Sequence, residues 1–338
     1  MESLAVKYRP KSFDDVVEQS SVVQILQRQI STGNIKNAYI FSGASGCGKT
    51  TCARIFANEI NRHMGSPIEI DAASNNGVDK IRELVQTANQ RSLDSEYKVI
   101  ILDEAHTLTS QSWQALLKIL EEPPRYTIFI FCTTDPQKIP ATIVNRCQRF
   151  NFGKITSSAI RDNLKYICEQ EQFSNYEDSI KYISNISHNQ MRDAISNLEK
   201  VADYNNSFDI STTLMILGGY SFDSMFKLLN AVIDGNESDI INLISYFYES
   251  GKDLKLFIDE WIRFLIDVLK YFLFRQTDIL SIPDALVDSL NYVIGLENAN
   301  EYYYYLLNKS LELKNMSKQD TELFATVQIV FLSMCRGA

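Results

Sequence analysis

The sequence predicts an α/β domain built on a parallel sheet with helices on both faces, followed by an all-helical second half. Three observations predict it. Apolar, β-rich runs separated by helix-sized intervals occur at Ala38–Ser42, Ile68–Asp71, 99–102, 128–133 and 148–152. Strands that far apart do not form simple hairpins, so parallel pairing through crossovers is the economical arrangement. From Lys154 onward the β signal fades and helical spacing takes over.

Each element carries its own signature. In the clearest helix of the first half, Trp113, Leu116, Leu117 and Leu120 follow the i, i+3, i+4, i+7 rule, and Pro123-Pro124 stops it. In the last strand Phe150 and Phe152 share one face. Segments 157–172, 178–187 and 190–203 predict a small helical domain, and Asn205-Asn206-Ser207 reads as a linker. Beyond it, helices are predicted over 224–233, 238–250, 254–274, 285–296, 302–316 and 320–335. The expected domains are therefore 1–153, 154–206 and 207–338. Aromatic runs such as Tyr246-Phe247-Tyr248 and Tyr302-Tyr303-Tyr304-Tyr305 read as a well-filled helical core, with packing against copies or partners as the alternative.

Composition narrows the class. With 338 residues, 45% hydrophobic and 22% charged, the chain is neither disordered, collagenous nor membrane-embedded. The most apolar window, 257–274, is interrupted by Asp259, Glu260, Arg263, Asp267 and Lys270, so a buried amphipathic helix is expected and no membrane span. No signal peptide is read at the N-terminus. Six cysteines without a C-x2-C pair and three isolated histidines predict no zinc site and no disulfide framework, but the reduced thiols of a cytoplasmic protein. The net charge of −9 argues at first against nucleic acid. Its distribution weakens that argument: residues 1–152 balance at +1, and residues 153–338 at −10.

The chemistry lies at strand ends. The first strand runs into Gly43-Ala44-Ser45-Gly46-Cys47-Gly48-Lys49-Thr50, a full match to G-x-x-x-x-G-K-[ST]. Glycines let the backbone wrap closely round phosphates, and the loop N–H groups with the following helix N-terminus favour anionic oxygens. The expected ATP cradle comprises Gly43, Ser45, Gly46, Cys47, Gly48, Lys49, Thr50 and Thr51. Lys49 adds a point charge and the Thr50 hydroxyl a ligand for Mg²⁺. The strand at 99–102 then ends in Asp103-Glu104, where the first carboxylate holds Mg²⁺ and the second orients attacking water. Two acids at an exposed strand end are common taken singly; behind a complete phosphate loop they read as catalytic. The continuation Ala105-His106 spells DEAH, the label of a helicase family, yet the helical second half contradicts that family's second motor domain. Thr133-Thr134 closes the fourth strand, where a polar side chain reports the γ-phosphate. Arg146 sits near the domain rim, where a lone arginine is usually solvated, and Arg192 lies in the predicted small helical domain, within reach of the phosphates.

In this order the motifs resemble the AAA+ ATPases, and within them the ATPase subunits of replicative clamp loaders: the bacterial gamma/tau family and the small subunits of replication factor C. The resemblance rests on Lys7-Tyr8-Arg9-Pro10, the phosphate loop, Ile68 to Ser74, the Asp103-Glu104-Ala105-His106 box, Leu120-Glu121-Glu122-Pro123-Pro124 and Met191-Arg192-Asp193-Ala194. It implies a small helical lid and an all-helical collar after the ATPase domain. It makes Thr134 and Arg192 the two nucleotide sensors, Arg146 an arginine finger acting on a neighbouring subunit, and Arg9 with Val17 the wall against adenine. Arg82 and Lys118 match DNA-contacting positions; Lys118 lies about 140° round its helix from Trp113, on the side a phosphate contact needs.

Four departures stand out. The segment 60–67 is short and lacks the family's cysteine-rich zinc module, so ATP and Mg²⁺ are the expected cofactors and zinc is not. Asn145 replaces the serine before the finger. Glu18 replaces a common glycine, and Asn75 replaces a basic DNA contact. The end at Ala338 lacks a tether tail, which together with the missing zinc module makes a phage origin a point to consider. The resemblance implies partners: other clamp-loader subunits in a pentamer, a sliding clamp and primer-template DNA. A structural subunit that does not hydrolyse ATP, and a different AAA+ machine such as a helicase loader, are the alternatives.

Overall fold

The computed structural model describes residues 2–277, 279–295, 299–318, 320 and 322–335. They divide into two compact units, Met1–Asn163 with Ser187–Ser196, and Leu164–Ile186 with Asn197–Ala338. In the first unit the order is α1 (Ser20–Thr32), β1 (Ala38–Ser42), α2 (Lys49–Ile60), β2 (Ile68–Asp71), α3 (Val78–Ala88), β3 (Lys98–Asp103), α4 (Ser110–Glu121), β4 (Thr127–Thr133) and β5 (Gln148–Asn151). The strands form one sheet in the order β2-β3-β4-β1-β5, every pair parallel. This is the predicted α/β sheet. β3 runs one residue further at each end than its apolar run, and β5 stops at Asn151, one residue short of Phe152.

Parallel strands buried on both faces need continuous apolar runs, and β1 and β4 are buried at every position. On one face Tyr39, Phe41, Ile101 and Ile130 pack with Leu26 of α1 and Phe56 of α2. On the other, Ile40, Ile100 and Phe131 pack with Leu84 of α3 and Trp113 and Leu116 of α4. A one-residue shift in any strand would exchange the two faces, so the two cores fix the register that aligns the strand ends.

The segment before α1 is tied down by polar contacts. Buried Gln19 donates through Nε2 to the carbonyls of Cys47 (3.3 Å) and Gly153 (3.0 Å), and its Oε1 accepts from Gly153 N–H (3.0 Å). Glu18 adopts φ 60°, which explains why glycine suits this position in the resembled family. Here the left-handed turn is offset by the carboxylate: Thr156 donates its N–H to Oε2 (2.7 Å) and its hydroxyl to Oε1 (2.6 Å).

α5 (Ser157–Gln170) and α7 (Met191–Tyr204) contribute residues to both units. In the second unit α6 (Glu177–Ile186) and α8 (Ile210–Leu217) are followed by α9 (Phe222–Asp234), α10 (Glu237–Glu249) and α11 (Leu254–Phe274). α12 (Val287–Ile294), α13 (Ala299–Met316) and α14 (Leu323–Ser333) complete it. Most helices lie within a few residues of their predicted spans. The predicted end at Leu296 lies outside the described residues, as do Thr321 within the predicted 320–335 helix and Arg336, Gly337 and Ala338. α8 was not predicted. The 205–207 segment is no free linker: Ser174 N–H donates to Asn206 O (3.0 Å), Phe208 N–H donates to Ser174 O (3.1 Å), and Ser174 and Ser207 form a parallel bridge.

α11 buries Phe257, Trp261 and Leu265 against Tyr303 of α13 and Phe331 of α14. Two of the charges that interrupt its sequence are themselves buried. Glu260 accepts from the Tyr182 hydroxyl and from Tyr220 N–H (2.8 Å), and burial pushes its carboxyl up. Asp267 accepts from Ser281 N–H (2.6 Å) and pairs with Lys270 (3.0 Å). In the aromatic runs, Phe247 and Tyr303 are buried whereas Tyr246, Tyr248, Tyr304 and Tyr305 are exposed. Among the described residues no helix is long and apolar enough to cross a membrane.

The Glu18 turn gives a stability test. Glu18→Ala keeps the positive φ and loses both hydrogen bonds to Thr156, so about 1–2 kcal/mol of stability of this unit should be lost. Glu18→Gly relieves the backbone and should recover part of it. Thermal melts of the two variants against wild type check the order.

Candidate functional site

The first unit holds a cavity of about 350 Å³ at the C-terminal edge of the sheet, within the size range of small-ligand sites. Its polar floor is the loop after β1. Ser45, Gly46, Cys47 and Gly48 line it, continuing into Lys49, Thr50 and Thr51 at the start of α2. The loop has φ +66° at Gly46 and +98° at Gly48, a backbone open to glycine and strained for other residues. A Cβ at Gly43 would stand 2.6 Å from Phe152 O, and one at Gly46 would stand 2.9 Å from Gln190 Cβ. Close packing thus excludes side chains at both glycines.

Lys49 is 6% exposed, and its ammonium donates to the carbonyls of Gly43 (2.9 Å) and Ala44 (2.8 Å). A buried cation is thereby held over the loop. Thr50 Oγ1 donates to Asp103 Oδ2 (2.8 Å), joining the start of α2 to the end of β3. Asp103 Oδ1 accepts the N–H of Glu104, whose backbone turns left-handed at φ 46°. Thr134 Oγ1 donates to Glu104 Oε2 (3.2 Å). Four residues singled out from sequence thus form one chain of contacts: Thr50, Asp103, Glu104 and Thr134.

The opposite side of the cavity comes from two other segments. Arg9 and Val17 line it, and so does Arg192 at the start of α7. Met191 N–H donates to Gly46 O (3.3 Å), fixing that helix start on the loop. The Arg9 guanidinium is held below its ordinary range by burial and by the nearby Arg54 charge. The remaining candidates lie apart from the cavity. Arg146 is exposed, donating from Nη1 to Thr142 O (2.6 Å) and from Nη2 to Glu121 Oε1 (2.6 Å). Arg82 is exposed and pairs with Asp79 (3.0 Å), and Lys118 is exposed on α4.

Several site residues escaped the sequence reading. His106 Nδ1 lies 3.3 Å from Glu104 Oε2 and 3.2 Å from Thr133 Oγ1, so it helps to hold the same carboxylate oxygen that Thr134 meets. Arg54 and Glu69 line the cavity as a two-bond ion pair, both contacts 2.6 Å. Asn163 lines it too, and its buried Oδ1 has no hydrogen-bond partner among the described residues.

The comparisons with known proteins bear on the whole chain. A family model described as "DNA polymerase III, delta subunit" matches residues 66–156. The gamma/tau subunit of DNA polymerase III from Mycoplasma genitalium is 33% identical, over 97% of this chain and 58% of that protein. The tau subunit from Bacillus subtilis is 37% identical over 78% of this chain and 51% of that protein. The gamma subunit from Buchnera aphidicola of Acyrthosiphon pisum is 32% identical, and the match covers 80% of it. The chain belongs to the DNA polymerase III gamma/tau family.

This gamma/tau chain spans about half the length of the first curated relatives it matches, with shares of 58%, 51% and 42%. Among solved structures, the RuvB branch migration motor of Thermotoga maritima matches with a TM-score of 0.53 at 19% identity. The match covers 67% of this chain and 79% of that one. At that identity the likeness is one of fold, the AAA+ fold.

The residues present fit a magnesium nucleotide. Lys49 uses two of its three donors on the loop carbonyls, which leaves one for an anionic oxygen. Magnesium is commonly held by one or two protein oxygens together with phosphates, not by an all-protein cage. Thr50 and Asp103 supply such a pair, and no group of three His, Cys, Asp or Glu side chains suited to a metal occurs among the described residues. Lys49→Ala in the isolated chain should weaken a fluorescent MgATP analogue at least about tenfold, since a charge-assisted hydrogen bond is lost. Equilibrium fluorescence titration measures it.

Proposed function

We propose that this chain is an ATP-hydrolysing subunit of a DNA sliding-clamp loader. The observation that carries the proposal is the continuous set of contacts Thr50, Asp103, Glu104 and Thr134 beside a buried Lys49. Bound ATP and Mg²⁺ supply the scissile phosphoanhydride and the charge that polarises it. The chain does the rest. Lys49 and the loop N–H groups orient the phosphates, and Thr50 with Asp103 would hold the cation. Glu104 aligns the attacking water and takes up its proton, held in place by Thr134 and His106. Arg192 acts as a second sensor, from a helix start bonded to the loop itself.

Arg146 is the arginine finger, acting on ATP held by a neighbouring subunit. Its outward position supports this reading, because it does not line its own chain's cavity. The lid at 154–206 and the collar at 207–338 follow from the same reading, with the collar joining subunits into a spiral. ATP binding organises that spiral around an open clamp, primer-template DNA enters it, and hydrolysis releases the clamp on DNA. Arg82 and Lys118 would meet DNA phosphates. Arg82 is held by an exposed pair with Asp79, which a phosphate can displace at small cost. Few such contacts per subunit predict weak, salt-sensitive binding by the lone chain.

One measurement tests this function. Arg146→Ala should leave nucleotide binding by the isolated chain intact while DNA-stimulated turnover of the assembled complex falls about a thousandfold or more. Turnover that survives removes the finger assignment.

A further inference from the structure

The Arg54–Glu69 pair has no part in the contacts used so far. Arg54 follows Thr50 by four residues on α2, so the two share one stripe of that helix, and both line the cavity. On the sheet, Glu69 pairs in register with Ile101 and Asp71 with Asp103. Ile101 points into the α2-side core, and alternation along the strands puts Glu69 and Asp103 on that same face. The guanidinium therefore stands between two carboxylates. It binds one of them through two hydrogen bonds, Nε to Oε2 and Nη2 to Oε1, both 2.6 Å.

The charges at this end of the cavity are unbalanced. Arg9, Arg54 and Arg192 all line it. The Arg54 guanidinium is held above its ordinary range first by the hydrogen bond to Glu69, against burial, and then by the Glu69 and Asp103 charges. Asp103 thus already acts on Arg54. A guanidinium does not deprotonate under these conditions, so its charge attracts the nearest free carboxylate. Asp71, on the same face, is bonded to Ala73 N–H and to the Ser74 hydroxyl, so without Glu69 the carboxylate that already acts on Arg54 is Asp103, the one paired with Thr50.

We propose that Glu69 guards the divalent-cation position: by clamping Arg54 it keeps a guanidinium off Asp103 and leaves that carboxylate, with the Thr50 hydroxyl, to the cation that accompanies a nucleoside triphosphate. Glu69 and Arg54 are positioning residues in this scheme, acting through Asp103. The inference rests on the nucleotide reading of the cavity and adds to it a residue pair that sets how readily the metal enters.

The test uses the isolated chain, a fluorescent ATP analogue and a magnesium titration against chelator. In Glu69→Gln the freed guanidinium competes for Asp103, so the magnesium concentration at half-saturation should rise about tenfold. The double variant Arg54→Gln with Glu69→Gln removes the competitor and should return the midpoint to within about threefold of wild type. An unchanged midpoint in Glu69→Gln overturns the proposal. So does a double variant as impaired as the single, because Glu69 would then act by itself. If the wild-type chain shows no magnesium-dependent binding at all, it is the nucleotide reading that fails.

Discussion

The hydrogen bond from Thr50 to Asp103, 2.8 Å long, is the contact on which the site's geometry turns. β1 carries the phosphate-loop motif at its end but does not neighbour β3; β4 lies between them. The start of α2 must therefore lean across the end of β4 to meet Asp103. All five strands being parallel, their C-terminal ends share one edge of the sheet, so the loop, Asp103, Thr134 and Phe152 arrive together. The register completes the arrangement: Ser42 aligns with Thr133, and Gly43 N–H donates to Thr133 O (3.2 Å). A side chain at Gly43 would collide with Phe152 O, so this close approach of β1 and β5 depends on glycine.

Glu104 and Glu18, two of the non-glycine residues with left-handed backbones, use them for different ends. Glu104, at φ 46°, returns its N–H to Asp103 and its carboxylate to Thr134 and His106. There the left-handed turn directs the carboxylate proposed to align the attacking water, and each contact holds the turn in place. Glu18, at φ 60°, aims nothing reactive; its carboxylate ties the segment before α1 to Thr156, ahead of α5. Both turns cost on the order of 1 kcal/mol, and in both the side chain supplies hydrogen bonds of comparable worth. A residue that departs from its family's glycine can thus keep the glycine's conformation.

What the sequence made legible was what repeats or what is contiguous. The five strands showed because buried parallel strands are uninterrupted apolar runs, and the phosphate loop because its glycines and Lys49 lie within eight positions. α8 did not show: Ser211, Thr212 and Thr213 are weak helix formers, although Asp209 at its N-cap and Gly218 in a left-handed C-cap were signals that could have found it. Glu260 and Asp267 read as polar interruptions of α11 because a one-dimensional pattern does not reveal the Tyr182, Tyr220 and Ser281 groups that bury them. Arg54 was within reach, four residues after Thr50, but its meaning depends on Glu69 from another element. Asn163 gave no signal at all, since an unpaired buried acceptor exists only once the fold surrounds it.

The magnitudes around Arg146 explain how a held finger still serves on the proposed reading. Its contacts to Thr142 O and Glu121 lie at the surface, with the arginine side chain 34% and the glutamate side chain 52% exposed. A pair of that kind contributes about 1 kcal/mol or less, so release costs little. Stabilising charge on a transferring phosphoryl group is worth roughly 10³ to 10⁵ in rate, or about 4 to 7 kcal/mol. That stabilisation outweighs the surface pair whenever a neighbour presents its nucleotide. Until then Glu121 and Thr142 O hold the arginine in one geometry at the surface of its own domain, so that less rotamer freedom remains to be lost when the neighbour docks.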